Sequence, residues 1–169
     1  AANSGDSSNL LKHLDQWVIK EKPAVVHFNC GIHDTKKFKS TGKFQVSAEQ
    51  YEANLRKIIE HIRKETGAVV LFATTTPILD DRAAKTRRDR EYELLDASVR
   101  QYNRIAKKVM RELDVPVNDL YTSLSEPGNP PGLQDLIGSD GVHLQSEAKQ
   151  RIGKVVADFI ASNLPPRQQ

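Results

Sequence analysis

Residues 23–34 read PAVVHFNCGIHD, and residues 68–77 read AVVLFATTTP. Each is a short apolar run rich in β-branched and aromatic side chains. Each breaks abruptly into a polar turn, as a buried strand does where it leaves a sheet. A weaker run of the same character, VPVND, occupies residues 115–119. Between the runs the apolar period changes. Tyr51, Leu55, Ile58, Ile59 and Ile62 recur at helical spacing, and so do Leu95, Val99, Tyr102, Ile105, Ala106, Val109 and Met110. Leu10, Leu11, Leu14, Trp17 and Val18 mark a helix before the first run, with Trp17 expected in the core. Ile152, Val155, Val156 and Phe159 mark a helix after the last. The order α-β-α-β-α-β-α predicts an α/β fold, a three-layer α/β/α sandwich with a parallel sheet. The strand C-terminal ends then share one edge, where open α/β sheets bind ligands.

Local signals set the expected boundaries. Ser7 or Ser8 is the expected N-cap of the first helix. Ser47 and Gln50 fit a capping box, Gly67 closes the helix it starts, and Ser146 is the expected cap of the last helix. Residues 31–46 and 123–142 read as loops. The densely charged stretch of residues 80–91 reads as a solvated loop, its basic residues largely offset by Asp80, Asp81, Asp89 and Glu91. Cys30 reads as a small, partly buried residue at a strand end.

Composition bounds the class. A chain of 169 residues is one domain, taken here as 1–169. Hydrophobic residues make up 38% and charged residues 28%, and no apolar run approaches the ~20 residues of a spanning helix. The single cysteine excludes an internal disulfide framework and a Cys-based zinc cluster. The net charge of +3 is mild and argues against a nucleic-acid partner. AANSGDSSN at the start lacks the basic and apolar segments of a signal peptide.

The turns carry the chemistry. Asp140 and His143 stand in DGVH, just before a helix. A carboxylate at this spacing can fix one imidazole nitrogen and leave the other as a base. Taken alone, the pair describes a surface histidine beside a capping aspartate at least as well. His33 lies in GIHD at a strand end, where it could donate to a developing oxyanion or simply face solvent. Gly5 precedes a helix N-terminus, where backbone N–H groups can bind an oxyanion.

Together and in this order, these segments resemble the SGNH (GDSL-type) hydrolases. DGVH matches the block that supplies the family's Asp and His. GIHD matches the G-x-N-D block, with His33 where most members have Asn, and resembles a bacterial subgroup with G-x-H-D. NSGDSSNLLKHL resembles the block carrying the oxyanion glycine, which would be Gly5. TTTP, YNRIAKKVM and VNDLY resemble the intervening segments. The resemblance implies a flavodoxin-like SGNH hydrolase fold, a Ser-His-Asp triad and an oxyanion hole, a small-molecule ester as substrate, and no metal or organic cofactor. Residues 5–7 spell GDS, which offers Ser7 as the nucleophile. No apolar strand precedes Ser7, however, and one helix separates it from the strand before GIHD. That position favours Gly5 as the oxyanion glycine, with the first strand and the nucleophilic serine upstream of residue 1. An N-terminal peptide or an exchanged segment is then expected to complete the sheet. The alternative is a module of the same fold that binds a ligand and lacks the nucleophile. A nucleotide-binding domain is disfavoured, because no glycine-rich phosphate loop follows any strand.

Overall fold

The computed structural model describes residues 4–126 and 132–164. Residues 1–3 of the N-terminal turn and 127–131 of the expected Gly/Pro-rich loop lie outside the described residues. In chain order the elements are α1 (Ser7–Lys12), α2 (Leu14–Trp17), β1 (Val25–Phe28), β2 (Lys37–Phe38), α3 (Ala48–Glu65), β3 (Val69–Ala73) and α4 (Asp80–Thr86). They continue with β4 (Tyr92–Glu93), α5 (Asp96–Glu112), β5 (Val117–Asn118), α6 (Leu120–Ser125), α7 (Leu133–Leu136) and α8 (Ser146–Asn163).

The apolar runs form a parallel sheet in the order β1-β3-β5. Val25 pairs with Val69, Phe28 with Phe72, and Phe72 in turn with Val117. The shared direction brings the three strand ends to one edge. Alternation along β3 divides the core between the sheet's faces. Val70 and Phe72 join Leu10, Leu55, Ile58, Tyr102 and Val109 from α1, α3 and α5. Ala73 joins Ala148 and Ile152 of α8 and Leu120 and Leu124 of α6. Full burial of each large apolar side chain contributes roughly 1.5–3 kcal/mol. The fold is thus a parallel α/β arrangement with helices on both faces, as the periodicity predicts. Among the described residues, no helix is long and apolar enough to cross a membrane.

β1 has a strand neighbour on one side only among the described residues. His27 faces α8 with its ring centroid 6.1 Å from that of Phe159. Its buried Nε2 has no partner among the described residues, and burial lowers its pKa. Along α8, Ala148 and Ile152 are buried, whereas Val155, Val156 and Phe159 are only half-buried.

Several local expectations are corrected. The first helix breaks at His13, between α1 and α2. Beyond the break Trp17 leaves the apolar stripe, stacks on His13 at 4.5 Å and is 37% exposed. Asp6 caps α1 by accepting from the Asn9 N–H at 2.9 Å, because the Ser7 hydroxyl is engaged elsewhere. Only half of the capping box forms on α3. Ser47 accepts from the Gln50 N–H, while the Gln50 amide donates to Asn54. That helix ends one residue before Thr66, whose hydroxyl donates to the Ile62 carbonyl at 2.7 Å, so the stop precedes Gly67. Gln145 occupies the cap position of α8 and Ser146 is already helical. Short strand β2 forms within residues 31–46, expected to be a loop, and pairs antiparallel with β4, just past the charged stretch of residues 80–91. Cys30 is fully buried rather than partly so, and burial pushes its thiol pKa well up.

The charged stretch is also more structured than expected, because its basic residues find carbonyls. It forms α4, and Arg82 donates to the Gln134 and Ile137 carbonyls at 2.8 and 2.6 Å. Arg87 donates to the Asp140 carbonyl at 2.8 Å. The charges therefore brace the loop that carries DGVH.

Candidate active site

Asp140 and His143 lie in the loop entering α8. One Asp140 carboxylate oxygen accepts from the Val142 and His143 backbone N–H groups, each at 3.0 Å. The other oxygen pairs with Nδ1 of His143. Burial pushes the Asp140 carboxyl up, but the bonds from His143 and Val142 outweigh it and hold the group down at about 2. Asp140 is therefore ionised at neutral pH. It orients the imidazole with Nε2 pointing away, and Nε2 has no partner among the described residues. The His143 side chain is 81% exposed. Behind the pair the loop is held firmly. Ile137 bridges Leu144, Gly138 N–H donates to the His143 carbonyl at 2.7 Å, and Leu79 N–H donates to the Gly141 carbonyl at 2.9 Å.

The GIHD turn follows β1. Gly31 sits at φ +147°, and a Cβ there would lie 2.6 Å from the Thr75 hydroxyl, so only glycine fits this approach to the neighbouring strand end. His33 is half-buried, and burial and then the nearby Lys36 charge lower its pKa against the pull of Asp6. A neutral imidazole results at pH 7, with one N–H able to donate.

Ser7 is fully buried and tied into a different arrangement. Its N–H and its hydroxyl both donate to Asp34 Oδ1, and its oxygen accepts from Asn54 Nδ2 at 2.9 Å. The structure does not bring Ser7 to His143. It makes Ser7 a clamp between the N-terminal turn, the GIHD turn and α3. Gly5 stands two residues before Ser7, and His33 one residue before Asp34. The Ser7–Asp34 bonds therefore fix the two candidate oxyanion donors relative to each other. Nothing in the spacing of Ser7, Asp34 and Asn54 announces this buried trio.

Asp34 gives a testable pH signature. Its Oδ2 is buried without a partner among the described residues, and burial raises its pKa to about 6 despite the Ser7 bonds. The folded state then holds a proton that the unfolded chain has released, so stability rises as pH falls from about 6 to about 4. Asp140 acts in the opposite sense. Its contribution is present above about pH 4 and is lost as pH falls toward about 2. The lowered pKa values of His27 and His33 act against this in both proteins, so the signature is a difference: the wild-type urea midpoint is expected to gain on that of Asp34→Asn as pH falls from about 7 to about 4. Equal slopes in the two proteins would contradict this assignment.

Both histidines face one cavity of about 550 Å³ at the strand-end edge. Asn29, Thr74, Thr75 and Thr76 supply much of its polar lining, and Ile32, Leu94, Val142 and Leu144 part of its apolar wall. Asn29, held by a 2.8 Å bond to the Ala73 carbonyl, was not singled out by the sequence. Its place immediately after β1 is the signal that could have found it. Among the described residues, no serine lines this cavity, and no group of three His, Cys, Asp or Glu side chains could hold a metal ion.

The family model described as GDSL-like Lipase/Acylhydrolase matches residues 1–151. No curated protein matches the sequence. Among solved structures, a lipase/acylhydrolase from Enterococcus faecalis superposes with a TM-score of 0.74 at 22% identity, over 97% of this chain and 74% of that one. The acetyl xylan esterase AlAXEase superposes with a TM-score of 0.74 at 18% identity, over 94% of this chain and 78% of that one. Axe2, an acetylxylan esterase from Geobacillus stearothermophilus, gives 0.73 at 19%, over 94% and 68%. The likeness to these structures is one of fold.

Proposed function

Because the chain belongs to the GDSL-like lipase/acylhydrolase family, we propose that its cleft hydrolyses carboxylic esters, either small acyl esters or acetylated carbohydrates. The observation that carries this reading is His143, held by Asp140, lining the same cavity as His33. The acetylxylan esterases of the same fold support acetylated carbohydrate as a substrate class.

In this reaction a serine hydroxyl attacks the ester carbonyl carbon while His143 Nε2 takes its proton. Asp140 keeps the imidazole in the required tautomer and stabilises its cation. The tetrahedral oxyanion receives hydrogen bonds from the Gly5 N–H and the His33 side chain. His143 then protonates the leaving alcohol oxygen as the C–O bond breaks. Water, deprotonated by His143, releases the acid from the acyl-enzyme and restores the serine.

Ser7 is not placed for this role. We assign the nucleophile to a serine on a strand paired along the open side of β1. A parallel partner would end at the same sheet edge as Asn29 and His33. An N-terminal peptide or a segment exchanged from a second copy would supply it. A second reading, a binding module of the same fold, draws on the lack of serine among the described cavity residues.

Turnover of p-nitrophenyl acetate and acetylated xylo-oligosaccharides separates the two readings. Hydrolysis of neither would reject the esterase. His33→Ala is expected to lower kcat by about 10²–10³-fold with KM unchanged, as for loss of an oxyanion donor. An unchanged kcat would remove His33 from the oxyanion site.

A further inference from the structure

The cavity carries a cation that the hydrolytic scheme does not use. Lys36 lines the cavity three residues after His33, and its N–H donates to the His33 carbonyl at 3.4 Å. Its ammonium lies over the Tyr92 ring, 5.1 Å from the centroid, and Tyr92 lines the same cavity. Lys36 forms no ion pair among the described residues. The aromatic face thus holds the charge in place without neutralising it. Its field reaches the site, since the Lys36 charge helps to lower the pKa of His33.

The surroundings reinforce this charge. Antiparallel β2 and β4 bring two segments together beside the cavity. Residues 36–46 contain four lysines and no acid, and residues 87–93 contain three arginines against three acids. Lys37 is paired with Glu93 and Arg88 with Asp89. No acid lines the cavity among the described residues; of the acids near it, Asp140 is committed to His143, with Arg87 at 3.9 Å, and Asp6, whose charge opposes that of Lys36 at His33, caps α1 and accepts from Gln45. The rim is therefore net positive, and Lys36 is its unneutralised member inside the cavity. A low-dielectric wall on one side strengthens such a field toward a bound anion.

We infer that the cleft prefers esters whose acyl or alcohol part carries a carboxylate, with Lys36 as the residue that recognises the anion. The inference rests on the esterase reading above. A neutral ester would leave the Lys36 charge unused, whereas an anionic one forms a partly desolvated ion pair while its carbonyl faces His33 and His143.

The test compares matched substrates. Mono-p-nitrophenyl succinate is set against p-nitrophenyl butyrate, and 4-acetoxybenzoate against 4-acetoxybenzamide. Each rate is normalised to that ester's alkaline hydrolysis. The expected result is a preference of about tenfold in kcat/KM for the anionic member of at least one pair, falling with added salt. Lys36→Gln is expected to collapse that preference ratio, and Lys36→Arg to retain it. Equal normalised rates within both pairs, or a preference that survives in Lys36→Gln, would overturn the inference while leaving the esterase intact. Hydrolysis of none of the esters would instead reject the esterase reading, and this inference with it.

Discussion

His143→Ala is expected to abolish ester hydrolysis while leaving the fold intact. Every proton transfer in the proposed reaction passes through Nε2 of this residue. Its Nδ1 is fixed by Asp140, so no other described group in the cavity occupies an equivalent position. Loss of a triad histidine lowers kcat by about 10⁴-fold or more. The structural cost should be small, because the side chain is 81% exposed and such surface substitutions usually fall within about 0.5 kcal/mol. The backbone bonds that shape the loop, Val142 and His143 N–H to Asp140, do not involve the imidazole. Turnover of p-nitrophenyl acetate measured beside the thermal midpoint checks both halves. Wild-type turnover in the variant would dismiss the assigned base.

Gly141→Ala is expected to have the largest effect on stability. Gly141 lies at φ +74°, and a Cβ there would sit 2.4 Å from the Ala83 nitrogen and 2.6 Å from the Leu79 carbonyl oxygen. Both are backbone atoms, so no side-chain rotation relieves the contact. The left-handed conformation alone costs roughly 1–2 kcal/mol for a residue with a Cβ. Separating the loop from α4 would also break the Leu79–Gly141 bond and the Arg87 contact to Asp140. A total of about 3–5 kcal/mol is expected, or a fall of roughly 10 °C in the midpoint. Gly153, on the exposed side of α8, meets nothing within 4 Å and provides the control. Gly153→Ala should leave the midpoint level or raise it. Equal midpoints for the two variants would contradict the tight packing of the DGVH loop.

The sheet was legible because its runs are apolar without alternation and the helices between them keep a clear 3.6-residue period. Val70 and Phe72 face one helical layer and Ala73 the other, as a doubly covered parallel strand requires. The Asp140–His143 pair was legible for a local reason, since three residues of separation let one carboxylate bond both the backbone and the ring. Long-range polar contacts were not legible. Whether a serine in GDS reacts or braces depends on Asp34, 27 residues away. The fate of residues 80–91 depended on carbonyls more than fifty positions onward, at Gln134, Ile137 and Asp140. Trp17 left its expected place by stacking on His13 at the break, while Leu14 and Val18 beyond the same break stay with the core.

The Ser7 assignment and the esterase reading meet in one experiment. The protein is treated with a fluorophosphonate and the modified residue is mapped by peptide mass spectrometry, in the wild type and in His143→Ala. A single serine other than Ser7 is expected to be modified, and the modification to be suppressed in His143→Ala because the base that activates it is gone. Modification of Ser7, undiminished modification in His143→Ala, or no modification at all would contradict it.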